Sequence, residues 1–246
     1  MKLVFVDAKL LRSILAAVST VVDEVTMRVD PEGLSIKALD LAEVLMVDLS
    51  LPKASFETYE VQGEERVAFR ISDVLKLLRS TVPNERVRIE PVENQLMFHV
   101  TGAFTRYLGV PIFGGEAKDL PIPKVNLKNT FTVPTAIMGH LVQNGRHVSD
   151  SVKFETYEDK VVLSVKGEIS SFVVDLLPED GTLADYALAP GSTVSYDLTR
   201  LFKIIPALDF SEKITVAYGE DMPLRISSQM DSKGQVDYFL APKVER

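Results

Sequence analysis

Three pairs of cations stand three residues apart in this sequence: Lys9 with Arg12, Lys76 with Arg79, and Arg200 with Lys203. On a helix that spacing puts both members of a pair on one exposed stripe. A stripe of ammonium and guanidinium groups holds phosphate by charge and position and reads no base sequence. Little else in the chain is equipped for chemistry. Cysteine is absent, which removes thiolate metal sites, cysteine nucleophiles and disulfides. The imidazoles are His99, His140 and His147, and the last two lie two helical turns apart, too far for simple joint ligation of a metal. The carboxylate pairs Glu179/Asp180 and Glu220/Asp221 sit before Gly or Pro, a context that favours solvated turns over metal ligation. No glycine-rich phosphate loop, GxSxG elbow or HExxH occurs, and "FGGEAKD" lacks the Lys-Ser/Thr pair and the helix that a phosphate cradle needs. These residues point to electrostatic binding without catalysis, and no cofactor or metal is expected.

The cations lie on four segments of helical periodicity, roughly Ala8 to Ser19, Val74 to Val82, Ala136 to His147 and Leu198 to Pro206. Together these hold Lys9, Arg12, Lys76, Arg79, Arg146, Arg200 and Lys203 and no Asp or Glu, in a chain of formal net charge −8. One lysine-rich helix face is ordinary; four without an acid are a segregation of charge. The third segment is the weakest, because His140 and Gln143 take two of its outward positions. A positive inner surface on a net-negative protein implies an enclosed, phosphate-lined ligand.

The segments sit in a repeated frame. "FRISDVLKLL" (Phe69 to Leu78) recurs as "YDLTRLFKII" (Tyr196 to Ile205), with aromatic, aliphatic, hydroxyl and lysine positions in the same order. The same shift lays Val6 over Val133, Asp23 over Asp150, "MVDL" at Met46 over "VVDL" at Val173, and "NERVRI" over "SEKITV". It slips by four residues only where "YLGVP" (Tyr107 to Pro111) meets "YFLAP" (Tyr238 to Pro242). Each copy reads as strand, helix, several strands, helix, several strands, so the expected class is α+β with antiparallel sheets. Alternation at Val25, Met27, Val29 and at Leu34, Ile36, Ala38 around "DPEG" predicts a hairpin, and Ser72 reads as the N-cap of the second helix. Gly and Pro from Phe113 to Asn129 predict an extended strap, giving an N-terminal domain 1–112, a connector 113–129 and a C-terminal domain 130–246. Of the 246 residues 46% are hydrophobic, enough for packed cores, while "SILAAVSTVV" is too short to cross a bilayer and the start carries no cleavable signal. The expectation is a soluble, cytoplasmic, nucleoid-associated protein with no membrane partner.

The sequence resembles sliding clamps of the proliferating cell nuclear antigen family, most of all the archaeal ones. "YFLAPKVE" (Tyr238 to Glu245), "DMPLRI" (Asp221 to Ile226), "FETY" (Phe56 to Tyr59) and "DLPIP" (Asp119 to Pro123) carry the likeness, which spans essentially the whole chain. The resemblance implies the DNA clamp fold: two tandem similar domains with two helices each, assembling into a three-subunit ring, homomeric or mixed, around duplex DNA. It implies DNA-facing roles for Lys9, Arg12, Lys76, Arg79, His140, Gln143, Arg146, Arg200 and Lys203. It places subunit contacts near Phe104, Arg106 and Tyr107 on one edge and Phe172, Val174 and Leu176 on the other. Finally, it implies a socket for the PIP-box peptide of DNA polymerase, flap endonuclease and DNA ligase, with a clamp loader as a further partner. Its residues would be Leu39, Val44, Met46, Leu120, Ile122, Pro223, Phe239, Ala241, Pro242 and Val244. The competing reading is a non-ring regulatory subunit of a DNA-processing assembly that uses the same helices as an open basic face.

Overall fold

The computed structural model describes residues 1–114, 120–230 and 234–244. Residues 115–119 of the strap, with Asp119 of "DLPIP", and Glu245 of "YFLAPKVE" lie outside the described residues. The first half runs β1 (Lys2–Phe5), α1 (Ala8–Ser19), β2 (Glu24–Asp30), β3 (Gly33–Leu39), β4 (Leu45–Pro52), β5 (Thr58–Glu60), β6 (Glu65–Arg70), α2 (Ile71–Leu77), β7 (Arg86–Val92), β8 (Gln95–Thr101) and β9 (Thr105–Pro111). The second repeats that order with β10 (Asn129–Pro134), α3 (Thr135–Gly145), β11 (Ser151–Thr156), β12 (Val161–Lys166), β13 (Ser171–Leu176), β14 (Ala184–Ala187), β15 (Thr193–Asp197), α4 (Leu198–Ile204), β16 (Lys213–Tyr218), β17 (Leu224–Gln229) and β18 (Gln235–Leu240).

The duplication reaches individual hydrogen bonds. The Ala8 amide donates to the Glu85 carbonyl at 2.8 Å, and the matching Thr135 amide donates to the Glu212 carbonyl at 2.9 Å. Likewise Ile71 donates to the Asp23 carbonyl and Leu198 to the Asp150 carbonyl, each at 2.9 Å. In both halves, then, each helix enters from its strand through the same backbone contact.

The chain folds as two compact units. One comprises Met1–Leu41, Met46–Pro121 and Gln229–Val236; the other comprises Ala42–Leu45, Ile122–Ser228 and Asp237–Arg246. The division therefore falls inside the strap, between Pro121 and Ile122, and two short segments group with the unit of the other half.

In the first unit one antiparallel sheet runs β5-β1-β7-β8-β9, and β4-β3-β2-β6 run side by side in another. Alternation decides which face of each strand is buried: Val25, Met27 and Val29 on β2 and Leu34, Ile36 and Ala38 on β3 point inward. Their hairpin closes as expected, with Asp30 Oδ1 accepting from the Glu32 and Gly33 amides. Gly33 is required there, since a Cβ would stand 2.5 Å from the Leu51 carbonyl oxygen. Helix α1 is capped by Asp7, whose carboxylate accepts from the Leu10 amide, and buries Leu11, Ile14, Leu15 and Val18. Leu11 and Leu15 meet Met27, Ile36, Leu49, Phe69, Ile89 and Phe98 around one small apolar void, so α1 and both sheets share a core.

In the second unit β13-β12-β11-β15 form one sheet, and β14-β10-β16-β17-β18 lie side by side in another. Phe131, Phe154, Tyr196 and Tyr218 interlock edge-to-face at the centre. The Tyr196 hydroxyl donates to the Met222 carbonyl, and the Tyr218 hydroxyl shares a hydrogen bond with Thr156. Burial pushes the Tyr218 phenol up to about 12 and Tyr196 higher still; in the first unit Tyr59 is also pushed up to about 12, chiefly by burial and then by Asp30. The folded protein therefore keeps protons that the unfolded chain releases near the ordinary value of about 10. Stability should fall as pH rises from about 10 to about 12. Tyrosinate absorbance should accordingly rise in two stages, the second coinciding with loss of near-ultraviolet dichroism; a single stage preceding unfolding would show these hydroxyls are not protected.

Candidate nucleic-acid interface and strand edges

Within the first unit α1 packs beside α2, and within the second α3 packs beside α4. Lys9 is exposed and Arg12 half-buried on α1, and neither has an ion-pair partner among the described residues. Helix α2 differs from its sequence-predicted form. It begins at Ile71, earlier than expected, so its first turn includes Asp73, and Asp73 Oδ1 takes the Lys76 ammonium at 3.1 Å. The helices are therefore not free of acid, contrary to the expectation from sequence. Ser72 is no N-cap either: the cap position is Arg70, and Ser72 donates from both its amide and its hydroxyl to the Asp23 carboxylate. Arg79 falls in a 3-10 turn after α2 and is exposed.

Helix α3 carries no Lys, Arg, Asp or Glu within its bounds; His140 and Gln143 are exposed on it. Arg146 is its C-cap and its guanidinium lies 4.2 Å from the centre of the Phe202 ring, a contact that ties the end of α3 to α4. On α4, Arg200 approaches Asp197 at 3.8 Å, while Lys203 is exposed without an ion pair among the described residues. Asp197 is also the N-cap, accepting from the Arg200 amide. Among the described residues, the cations of these segments without an ion pair are Lys9, Arg12, Arg79, Arg146 and Lys203, of which Arg146 lies against the Phe202 ring.

Each unit ends one sheet in an unpaired edge. Strand β9 is an outer strand of its five-stranded sheet, with β5 at the other end, and β13 is an outer strand of its four-stranded sheet, with β15 at the other end. Phe104 and Tyr107 are 64% and 66% exposed beside the first edge. Arg106, expected there as a contact, holds both oxygens of Glu85 with its two terminal nitrogens at 2.9 and 2.7 Å, and its guanidinium lies 5.1 Å from the centre of the exposed Phe104 ring. On β13 the burial alternates, so Val173 is half exposed, Phe172 and Val174 are half-buried and Leu176 is fully buried. The Leu176 side chain thus packs into the core, and Val173, one residue out of step with the expected set, is the most exposed apolar side chain on this strand.

The residues expected to hold a peptide are placed as follows. Leu39 ends β3, half-buried, and Met46 is buried in β4. Leu120 is half-buried and Ile122 exposed. In the second unit, Pro223, Ala241 and Pro242 are half-buried, Phe239 is buried with the Arg225 guanidinium 5.8 Å from its ring centre, and Val244 is exposed. The Ala241 amide donates to the Val44 carbonyl at 2.8 Å. Sequence reasoning overlooked Glu85, Asp73 and Asp150; only Asp73 had a local signal, three residues before Lys76.

Comparison with known proteins fits this geometry. Residues 1–101 match the family described as "Proliferating cell nuclear antigen, N-terminal domain". A DNA polymerase sliding clamp from Pyrococcus horikoshii is 27% identical over 99% of this chain and 98% of that protein. A crystal structure of PCNA from Thermococcus kodakaraensis superposes with a TM-score of 0.93 at 25% identity, covering 98% of this chain and 99% of that one. Residues 1–101 thus match the N-terminal domain of that family, and over nearly its whole length the chain is similar to archaeal DNA polymerase sliding clamps. A clamp chain from Sulfolobus tokodaii, solved as a complex of PCNA2 with PCNA3, shares the fold at a TM-score of 0.90 and 22% identity, covering 100% of each chain. The α+β class with antiparallel sheets and four helices among the described residues is the clamp architecture expected from the sequence.

Proposed function

We propose that this chain is one subunit of a ring-shaped clamp that encircles duplex DNA and acts as a processivity factor for DNA polymerase. The observation that carries the reading is that β9 on one half of the duplication and β13 on the other, the strands where the resemblance puts subunit contacts, are both outer strands of their sheets. Unlike edges join head to tail, and repeated head-to-tail joining closes a ring. Relatives that this chain matches over nearly its whole length are named DNA polymerase sliding clamps. The DNA-facing cations are Lys9, Arg12, Arg79 and Lys203 first, then Lys76, Arg146 and Arg200, whose charge is partly engaged within the subunit.

The clamp acts as a scaffold, with no reaction of its own. A clamp loader opens it, and polymerase, flap endonuclease and DNA ligase dock through PIP-box peptides, for which Phe239, Ala241, Pro242 and Val244 are the second unit's contribution. It works in the cytoplasm, at the nucleoid. No helix among the described residues is long and apolar enough to cross a membrane.

The test combines mass and topology. Native mass spectrometry should give three subunits per particle, from this chain alone or with sister chains. After loading, the clamp should stay on closed circular duplex and be lost within minutes from the same duplex once it is linearised. Equal loss from both would overturn the ring, and a monomeric mass that sister chains do not change would favour the open regulatory subunit.

A further inference from the structure

The duplication offers an internal comparison that isolates what each half has done with the same residue. Asp23 and Asp150 occupy matching positions, and their carbonyls do the same work, accepting from the first amides of α2 and α4. Their carboxylates have diverged. Helix α2 has no side-chain cap at Arg70, and Asp23 fills that need by accepting from the Ser72 amide at 2.8 Å and its hydroxyl at 2.9 Å. Helix α4 has its own cap, Asp197, so Asp150 is not needed there. The Asp150 carboxylate turns instead to the chain's C-terminal segment and accepts from the Lys243 ammonium at 2.8 Å.

After β18 the Ala241 amide donates to the Val44 carbonyl and the Lys243 amide to the Ser195 carbonyl on β15, each at 2.8 Å. The two amides bond to different segments, so the stretch holding Pro242 lies between Val44 before β4 and Ser195 on β15. Residues 241–243 are half-buried and Val244 is exposed, so this stretch opens at lower cost than a core strand.

We propose that the Lys243–Asp150 ion pair is a clasp that fixes the C-terminal segment along β15 and so presents Pro242 and Val244 in the arrangement that receives a client peptide. Lys243 and Asp150 are thus positioning residues, and the proposal rests on the peptide-docking role given above to this segment. Lys243 serves through its backbone amide and its ammonium together: the amide sets the register and the ammonium keeps it. The hydrogen bond from Lys243, more than any other influence, holds the Asp150 carboxyl below its ordinary value, which agrees with the geometry. Both side chains are solvent-accessible, so the clasp weakens as salt rises and does little for global stability.

The test uses the full-length chain with amide hydrogen exchange read at positions 241 and 243, and binding of a fluorescein-labelled PIP-box peptide. Lys243→Ala and Asp150→Ala should each speed exchange at both positions and weaken peptide binding by about two- to fivefold, the range open to an exposed pair. The thermal midpoint should not move. The double exchange Lys243→Asp with Asp150→Lys should restore protection and affinity, which a merely structural role for either side chain would not require. Unchanged exchange in the single variants overturns the clasp, and faster exchange with unchanged affinity overturns its positioning role. If the unaltered chain binds no peptide, the docking reading fails by itself, and the exchange data still decide whether the clasp exists.

Discussion

Glu85→Ala is expected to destabilise the protein by about 3 kcal/mol, while Glu212→Ala, its counterpart in the second half, should change stability by less than about 0.5 kcal/mol. The two residues share their backbone role, for each carbonyl accepts the first amide of a helix. Only their side chains differ. Glu85 is buried, grips Arg106 through two hydrogen bonds and also accepts from the Val82 amide at 2.9 Å. Glu212 is exposed and has no ion pair among the described residues. Removing the Glu85 carboxylate leaves a guanidinium that is only 16% exposed without its counter-ion, at the lower end of the usual cost because the pair lies just beneath the surface. The same loss should loosen β9, which Arg106 anchors, and so weaken subunit association.

The pH dependence has a definite sign. Hydrogen bonding from Arg106 lowers the Glu85 carboxyl below its ordinary 4.5. A depressed folded value gives stability that is present above the unfolded value and is lost as pH falls through the folded one. The gap between the unaltered protein and Glu85→Ala in urea denaturation should therefore be full at pH 7 and shrink in acid below 4.5. Equal, small effects of Glu85→Ala and Glu212→Ala would show that the buried pair contributes nothing.

What could be read in the sequence was what local pattern encodes. The hairpin at Asp30 is specified by alternating burial and a turn whose own side chain satisfies it, so it was visible. The repeat was visible because each half must bury the same helix stripes against the same strands. The start of α2 was misplaced because Ser72 looks like a cap, whereas its hydroxyl answers to Asp23, far back in the chain. That error hid Asp73 and overstated the free charge on α2. The Arg106–Glu85 pair was hidden for a similar reason: nothing near Arg106 in sequence announces Glu85. The period of two fixes alternation along β13 but not which set faces outward, so the burial of Leu176 could not be read from pattern alone. Partners distant in sequence decide all three.

Those corrections change which cations should matter most. Lys9→Ala with Arg12→Ala is expected to weaken binding of a linear duplex at low salt far more than Lys76→Ala with Arg200→Ala. Counterion release links each phosphate contact to a slope of about 0.9 in the logarithm of affinity against the logarithm of salt. Lys9 and Arg12 have no ion-pair partner among the described residues, so each can release its full share. Lys76 already lies 3.1 Å from Asp73, and Arg200 lies 3.8 Å from Asp197. For these two, gaining a phosphate means loosening a carboxylate partner three residues earlier in the chain, and the net release is smaller. Titrations between about 50 and 200 mM salt should show the slope falling by close to two for the first double variant in each subunit that touches DNA, and by clearly less for the second. Both variants should keep the unaltered native mass, because none of the four side chains lies on β9 or β13. Equal slopes for the two would mean that the carboxylates on α2 and before α4 do not compete with phosphate, and a slope untouched by the loss of Lys9 and Arg12 would remove α1 from the DNA-facing surface.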